Sequence, residues 1–443
     1  MAAVGSVLFG VFGLLVLLGI AWLFSANKGR VDWRLVAVGV LLQVGFALLV
    51  LMVPGGRDVF DALSRGFVSI LSYVAEGTRF VFGSMGDERL IGGAIAAGQG
   101  ETGPNDWQKY GFIFAVQVLP TIIFFASLMG VLYHLGVMQF IVRMIALGIT
   151  RVMRVSGAET TSVCASIFIG QTEAPLTVKP YLSAMTRSEL LTVMIGGMAH
   201  IAGGVLAAYV MLLGGGDPEQ QAFYAKHLLT ASIMAAPATL VIAKILMPET
   251  GDPLTLGTVR MQVEKTTVNV IDAAASGAAD GLRLALNVGA MLLAFVALIA
   301  LINAPLTWLG EVTGLAAWLG KPTDMATLLG YLLAPVAWII GVPWQDAETV
   351  GGLIGQKIVV NEFVAYLSLS QIQETLSEHG RLIATYALCG FANFSSIAIQ
   401  IGGIGGLAPD RRSDLARFGL RAVLGGTLAT LMTATIAGVI SRF

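Results

Sequence analysis

Long apolar runs, separated by short polar segments, dominate the chain. The first run, VGSVLFGVFGLLVLLGIAWLF, is about twenty residues long, enough for a helix to cross the ~30 Å hydrocarbon core of a membrane. No charged residue precedes Lys28, so the run lacks the basic leader of a signal peptide, and we expect a retained first span. The remaining apolar runs predict further spans: Leu35–Val53, Phe114–Tyr133, Leu190–Leu213, Leu228–Leu246, Leu284–Ile302, Leu382–Ile401 and Leu420–Ile440. The pattern predicts eight transmembrane helices and an all-α polytopic membrane protein.

The segment between Arg57 and Gly83 has a different pattern. Its apolar residues recur at helical spacing on one side, with charged residues elsewhere. This predicts one interfacial amphipathic helix, lying in the plane of the membrane surface. A helix packed on another domain is the alternative. A glycine-rich polar loop, from about Gly86 to Trp107, follows.

Two further segments, Glu159–Met185 and Glu348–Leu369, are long enough to enter a membrane but are broken at mid-length. Polar residues, proline or glycine interrupt each of them. Such a segment enters and returns on one side, which is permitted where the bent backbone faces protein or water. We therefore expect two re-entrant helical hairpins.

Lysine and arginine clusters orient the spans by the positive-inside rule. With both termini outside the cytoplasm, four clusters fall on the cytoplasmic side: Lys28, Arg30 and Arg34; Arg143, Arg151 and Arg154; Arg260, Lys265 and Arg283; Arg411 and Arg412. If either hairpin crossed fully, these clusters would fall on opposite sides. We expect a multi-pass protein with both termini periplasmic.

The organisation repeats, because each hairpin is followed by a span interrupted by small and polar residues. GGMAHIAGG begins at Gly196, and CGFANFSS begins at Cys389. One hairpin enters from each side, so the two halves are inverted. Paired interrupted segments in an inverted repeat indicate a secondary transporter with its substrate held between them.

Two hairpin carboxylates, Glu173 and Glu362, need partners or a function, because a charge at mid-membrane costs about 2.5–3.5 kcal/mol. They are either buried acids satisfied by hairpin amides or by Lys179 and Lys357, or acceptors for an uncharged ligand with several hydroxyl or N–H donors. Further donors, acceptors and flat apolar surfaces lie nearby: Gln171, Thr172, Asn393, Ser396, Phe391 and Phe394. The mixture suits a sugar attached to an aromatic base.

Composition agrees with a membrane protein, since 12% of the 443 residues are charged, against roughly 25% in soluble domains. The net charge of −1 gives no basic surface, so we expect no nucleic-acid partner. Cys164 and Cys389 lack metal-ligand spacing and are expected to be small buried hydrophobes. The sequence has no HExxH or GxSxG motif, and GLAAWLGKP fails as a phosphate loop, so we expect neither an enzyme nor ATP-driven transport.

Three segments together carry a resemblance to a known family. GQKIVVNEFVAY, GQTEAPL and CGFANFSSIAIQIGG are similar to the signatures of the concentrative nucleoside transporters, and the resemblance runs from about Val31 to the C-terminus. It implies a homotrimer of eight-crossing protomers in the bacterial inner membrane. It also implies nucleoside substrates such as uridine, cytidine and adenosine, and no cofactor other than a coupling cation, Na+ or H+.

The resemblance further implies roles for individual residues. The nucleobase would face Gly170, Gln171, Thr172, Glu173 and Val205. The ribose would be held by Glu362, Asn393 and Ser396, and the site would also be lined by Phe391, Asn361 and Lys357.

The resemblance also implies a cation site built from backbone carbonyls together with hydroxyl or amide side chains, which corresponds to Ser166, Ile169, His200 and Ile201 here. Ser166 stands where the family is expected to have Asn, and His200 where Ser or Thr is expected. Imidazole is a poor ligand for sodium, which, as a hard cation, prefers oxygen. Coupling to protons, through His200 or a carboxylate, is therefore an alternative to coupling to sodium; a helix-packing role for His200 is equally open.

These patterns divide the chain into residues 1–56, the first two spans; 57–110, the interfacial helix and loop; 111–158, a scaffold helix and connector; 159–246, the first hairpin with transport helices; 247–345, a scaffold helix and connectors; and 346–443, the second hairpin with transport helices. The predicted function is cation-coupled nucleoside symport by alternating access. A passive channel or proton-translocating subunit using Glu173, His200 and Glu362 is the alternative.

Overall fold

The computed structural model describes residues 2–100, 110–258 and 267–443, and within these ranges every regular element is helical. The α-helices, α1 to α21 in chain order, are Ala2–Leu23, Trp33–Leu51, Pro54–Ser72, Val74–Phe82, Glu88–Gly98, Phe114–Gln117, Leu119–His134, Val137–Met153, Gly157–Ala165, Lys179–Leu182, Arg187–Ala199, Gly203–Gly214, Pro218–Leu246, Val270–Val312, Leu315–Leu319, Met325–Ile339, Trp344–Val359, Glu362–Ile372, Glu378–Leu388, Phe394–Leu407 and Arg412–Ile440. Short 3-10 helices are Lys28–Arg30, Gly83–Gly86, Ala174–Val178, Gln373–Thr375 and Pro409–Arg411. The predicted charge cluster residues Arg260 and Lys265, and part of the predicted glycine-rich loop, lie outside the described residues.

Seven helices in the described ranges are long and apolar enough to cross a membrane. They are Val4–Leu23, Trp33–Leu51, Phe114–His134, Arg187–Gly214, Pro218–Leu246, Val270–Val312 and Pro409–Ile440. Each contains or overlaps one of the predicted spans. The remaining predicted span, Leu382–Ile401, consists of two shorter helices, α19 and α20, with a break at 389–393.

The sequence analysis missed helix α16, which pairs with α17 at a bend of 116°. Gly341, with a φ of +106°, turns the chain between them. The two helices pack closely because glycines face the partner backbone: a Cβ on Gly351 would lie 2.8 Å from the Ala334 nitrogen, and one on Gly352 would lie 2.8 Å from the Ala326 oxygen. The pair passes as a span only when both helices are counted together.

The order of helices is the same in the two halves of the chain. A long apolar helix (α7, α14) leads to a second helix (α8, α16) and then to a helix that ends in a turn carrying a glutamate (α9, α17). A broken helix (α11 and α12, α19 and α20) and a long final helix (α13, α21) complete each half. The predicted repeat is therefore present in the order of the helices.

The most buried helices lie at the centre of the bundle. In the most apolar stretch of α13 and of α21, 89% of the residues are buried, against 17% in α14 and 28% in α1 and α2. The central helices α11, α13 and α21 pack on one another, whereas α7 packs along α14 at the periphery. Cys164 and Cys389 are both buried and unpaired, as predicted.

Helix α3, predicted to lie in the interface plane, packs against α13. An ion pair between Asp61 and Lys226, 2.7 Å long, joins the two helices. The amphipathic stretch is divided at Tyr73 into α3 and α4. Its apolar side therefore has a protein neighbour along part of its length.

Small residues bring α7 and α14 together. A Cβ on Gly277 would lie 2.5 Å from the Ala126 oxygen, and one on Gly281 would lie 2.7 Å from the Ala126 side chain and 2.8 Å from the Ile123 Cα. Such glycine spacing permits close approach of helices inside a membrane. The contact depends on the absence of side chains at both glycines.

We expect Gly281→Ala to lower the free energy of unfolding by about 1–3 kcal/mol, because the methyl group overpacks the contact between α7 and α14. Thermal unfolding of the purified protein in detergent, followed by helical circular dichroism, measures the change. Gly45→Ala is the matched control, since a Cβ there meets nothing within 4 Å. Equal melting temperatures for the two variants would contradict the packing described here.

Candidate functional site

The breaks in the two interrupted helices meet at the centre of the bundle. The first break, 200–202, separates α11 from α12, and the second, 389–393, separates α19 from α20. They approach so closely that a Cβ on Gly390 would lie 2.9 Å from the Met198 oxygen. Helix termini have unpaired backbone groups, and the two breaks bring four helix termini together in one place.

Glu362 lies at this meeting point, as the first residue of α18. It is 6% exposed, and its carboxylate accepts two hydrogen bonds, one to each oxygen. The Tyr209 hydroxyl donates to Oε1 at 3.0 Å, and the Asn393 side-chain nitrogen donates to Oε2 at 3.0 Å. Tyr209 belongs to the first half of the chain, so the carboxylate links both halves.

Asn393 is oriented by its position at the N-terminus of α20. Its side-chain oxygen accepts from the Ser396 backbone at 2.9 Å and from the Ser395 hydroxyl at 2.7 Å, which leaves its nitrogen to donate to Glu362. This is the usual role of asparagine as an N-cap. Asn361 performs the same role for α18, accepting from the Val364 backbone at 2.9 Å.

A second set of hydrogen bonds connects the first hairpin turn to α20. Gln171, 8% exposed, donates to the Ser396 hydroxyl at 3.1 Å. Gln400 donates to the Gln171 side-chain oxygen at 3.1 Å and to the Met194 carbonyl at 2.9 Å. The amide of Gln171 is thereby held in one orientation between the two halves.

The two hairpin glutamates have different surroundings. Glu173 is exposed in the turn that follows α9, where the Thr172 hydroxyl donates to its Oε1 at 2.9 Å. Neither Lys179 nor Lys357 forms an ion pair with either glutamate in the described part of the chain. The alternative prediction, that these lysines neutralise the two acids by direct pairing, is therefore wrong.

The other predicted site residues are distributed around this network. Gly170 lies in the same turn as Glu173, and a Cβ on it would crowd that carboxylate. Val205, 4% exposed, is in the first turn of α12, and Phe391 is partly buried in the second break. Phe394 is 48% exposed and projects from the first turn of α20. Lys357 is 1% exposed and bonds elsewhere, to the Ala387 carbonyl and the Thr430 hydroxyl.

Two members of the network, Tyr209 and Gln400, were missed by the sequence analysis. Tyr209 is fully buried on α12, and its ring packs on Phe363 and Tyr366. A sequence signal existed for both, because each is a polar group within an otherwise apolar helix. Intramembrane polar residues are functional candidates by default.

The candidate cation residues form two segments that the structure brings together. The Gly203 backbone donates to the Phe168 carbonyl at 2.9 Å, which holds the 166–169 turn against the first break. Ser166 donates to the Ser162 carbonyl at 3.0 Å. His200 places Nδ1 2.7 Å from the Gly196 carbonyl.

This set of residues fits a sodium ion poorly. Ile169 and Ile201 can offer only backbone carbonyl oxygens, Ser166 supplies the one side-chain oxygen of the four residues, and His200 offers nitrogen where an oxygen is expected. Sodium, a hard cation, prefers oxygen ligands. Within the described ranges, no group of three or more His, Cys, Asp or Glu residues is placed to hold a metal ion.

Three family models match the chain. They are described as "Na+ dependent nucleoside transporter C-terminus" over residues 227–438, "Na+ dependent nucleoside transporter N-terminus" over 12–85, and "Nucleoside recognition" over 115–216. Together they cover the helices that carry every candidate residue described above.

Individual proteins match over nearly the whole chain. The uncharacterized transporter YutK of Bacillus subtilis is 44% identical over 98% of this chain and 99% of its own length. The nucleoside permease NupC of Helicobacter pylori is 42% identical over 98% of this chain and 97% of its own. The structure of CNTnw in an inward-facing substrate-bound state is similar with a TM-score of 0.85 at 43% identity, covering 99% of this chain and 98% of that one. CNTnw variants in outward-facing and intermediate states match over 98% or more of this chain.

The family models describe Na+-dependent nucleoside transporters, and the members of the family are transporters rather than enzymes. At this identity and coverage the relationship extends across both halves and both helix breaks. The chain belongs to the concentrative nucleoside transporter family.

Proposed function

We propose that this protein is a cation-coupled symporter that imports nucleosides across the bacterial inner membrane by alternating access. The observation that carries the proposal is the carboxylate of Glu362. It is buried where the two broken helices meet, and its partners, Tyr209 and Asn393, are both uncharged donors. Hydroxyl groups of a ribose suit such an acceptor, and one carboxylate can serve two of them.

The hydrogen-bond network supports a division of the site between the two halves. The ribose hydroxyls bind Glu362, Asn393 and Ser396. These residues already form one network, because the Asn393 amide donates to Glu362 and accepts from the Ser396 backbone. The nucleobase lies toward the first hairpin turn and α12, against Gly170, Gln171, Thr172, Glu173 and Val205. Phe391 lines the site, while Asn361 and Lys357 support it from behind.

The proposed membrane arrangement has eight crossings, two re-entrant hairpins and periplasmic termini. Residues 159–246 and 346–443 move as a transport unit against a scaffold formed by 111–158 and 247–345. Only 17% of the residues in the most apolar stretch of α14 are buried within one protomer. This low burial supports a trimer assembled on the α7 and α14 helices. The inward-facing, outward-facing and intermediate states of CNTnw support alternating access in this relative.

Coupling to one cation suffices for nucleoside accumulation. One monovalent charge crossing 100 mV releases ~2.3 kcal/mol, which supports roughly forty-fold accumulation of a neutral substrate. Because the candidate cation residues contain a single side-chain oxygen, proton coupling is favoured over sodium coupling in this chain.

We expect Glu362→Gln to reduce uridine uptake at least roughly tenfold, because a hydrogen bond to a charged acceptor contributes about 1.5–3 kcal/mol. The inhibitor 2′,3′-dideoxyuridine lacks the hydroxyl groups concerned, so its inhibition constant should change little. The uridine uptake rate and the inhibition constant of 2′,3′-dideoxyuridine are both measured from uptake of labelled nucleoside into proteoliposomes.

Glu311→Gln serves as the control for this substitution, because Glu311 is exposed in the last turn of α14. It should leave uptake at the level of the natural protein. Equal losses for uridine and dideoxyuridine in Glu362→Gln would show that the carboxylate does not hold the ribose.

Uptake under separate driving forces tests the coupling ion. We expect an inward proton gradient without sodium to drive uridine accumulation, and an inward sodium gradient at uniform pH to have little effect. The double variant Ser166→Asn, His200→Ser has two side-chain oxygens at these positions, where the natural chain has one. It should gain sodium stimulation of at least severalfold.

Sodium-driven uptake by the natural protein would overturn the preference for protons while leaving symport intact. Ungated conductance without saturable, competable uptake would instead favour the passive channel or proton-translocating subunit. Absence of uridine uptake under both gradients would direct the same assay to cytidine and adenosine.

A further inference from the structure

Lys357 is a buried ammonium group that has no carboxylate partner among the described residues. Its side chain is 1% exposed, and Nζ donates to the Ala387 carbonyl at 2.9 Å and to the Thr430 hydroxyl at 2.9 Å. Lys244 is also buried, but its surroundings differ, because it pairs with Glu159 at 2.8 Å and with Glu249 at 3.3 Å. Burying an unpaired cation costs several kcal/mol, so its position needs an explanation.

The ammonium lies at the C-terminal end of a half-helix. Ala387 is in the last turn of α19, which ends at Leu388, and carbonyls of a last turn have no intrahelical donor. The helix dipole concentrates negative charge there, and the membrane interior supplies no water to satisfy it. Lys357 therefore supplies both a donor and a positive charge at the break that precedes Asn393.

The first half of the chain meets the same requirement in another way. Glu173 and His200 are separated by the same number of residues as Glu362 and Cys389, so His200 and Cys389 occupy corresponding positions in the two breaks. His200 places its Nδ1 2.7 Å from the Gly196 carbonyl in the last turn of α11. The Cys389 thiol lies toward the Leu228 carbonyl instead, at 4.0 Å, and the second break receives its donor from α17, through Lys357.

Lys357 and Glu362 are connected through the second break. Lys357 donates to the Ala387 carbonyl just before the break, and Asn393, at the end of the break, donates to Glu362. The other titratable groups around this carboxylate are Tyr209 on α12, which donates to it, Tyr366 on α18, whose ring packs on that of Tyr209, and Cys389 in the break. All three are neutral in their protonated forms. Among these neighbours, Lys357 alone contributes a positive charge.

We propose that Lys357 is a tethered resident cation that fixes the second helix break and keeps Glu362 ionised for ribose binding. It is a positioning residue, since it acts through Ala387 and Glu362 rather than by touching the substrate. The inference rests on the proposed role of Glu362 and goes beyond it. It makes the second half of the site independent of a mobile ion, so that any ion coupling resides in the first half.

The test is the pH dependence of uridine binding to the purified protein, measured by calorimetry. A nearby positive charge favours the ionised carboxylate, so its removal makes protonation easier and binding is lost at a higher pH. We expect the acid midpoint of binding to move up by about one pH unit or more in Lys357→Met and in Lys357→Gln. Lys357→Arg keeps the charge and should leave the midpoint in place, even if uridine binds more weakly.

Lys244→Met is the matched control, because it removes a buried lysine that has no contact with the ribose network. It should lower the melting temperature and leave the acid midpoint unchanged. Weaker binding of uridine with an unmoved midpoint in Lys357→Met and Lys357→Gln would reduce Lys357 to a structural role and overturn the inference. If neither neutral variant folds, a shifted midpoint in Lys357→Arg overturns it.

The same experiment separates this inference from the proposed function. If the natural protein binds no nucleoside, the proposed function fails. If it binds uridine and the neutral variants lose uridine and 2′,3′-dideoxyuridine to the same extent, the link between Lys357 and Glu362 fails while nucleoside binding stands. A selective loss of uridine, together with the shifted midpoint, supports the inference.

Discussion

The structure depends on how backbone groups are satisfied where two helices are interrupted inside a membrane. The hydrocarbon of a membrane offers no hydrogen bonds, so the breaks find donors and acceptors among protein groups. The chain meets this requirement by placing the breaks against each other and filling them with short polar side chains. Asn361 and Asn393 cap two helix N-termini, while His200 and Lys357 supply donors to two C-terminal carbonyls. The same groups that stabilise the breaks form the candidate site, so fold and function share one set of hydrogen bonds.

The two halves have similar helix order but different chemistry. In the second half the glutamate is buried and held by Tyr209 and Asn393, whereas in the first half Glu173 remains exposed in its turn. A buried carboxylate with fixed partners suits a group whose geometry stays the same from one nucleoside to another. In a nucleoside that group is the ribose. An exposed and less constrained turn suits the part of the substrate that varies, the nucleobase. The asymmetry between the halves thus matches the asymmetry of a nucleoside.

Cross-half contacts are what convert the two halves into one site. Tyr209 reaches from α12 to Glu362, and Gln171 reaches from the first hairpin turn to Ser396, with Gln400 holding its amide. Neither contact follows from the signature motifs, because the partners are separated by 153 and 225 residues. Helix α16 was missed for a related reason: its apolar run is interrupted by Pro335, and its pairing with α17 depends on glycines that read as ordinary small residues in the sequence.

The sequence by itself determined the membrane class, seven of the long helices, the repeated order and most of the polar residues that meet at the two breaks, because apolar length and intramembrane polarity are local properties that the solvent enforces. Only the tertiary structure decided that Glu362 is buried and Glu173 is not, that Lys357 bonds to Ala387 and Thr430 rather than pairing with an acid, and that Tyr209 donates to Glu362. These outcomes depend on which elements meet across the bundle, and the distance and burial of a side chain are fixed by those long-range contacts rather than by its neighbours in the chain.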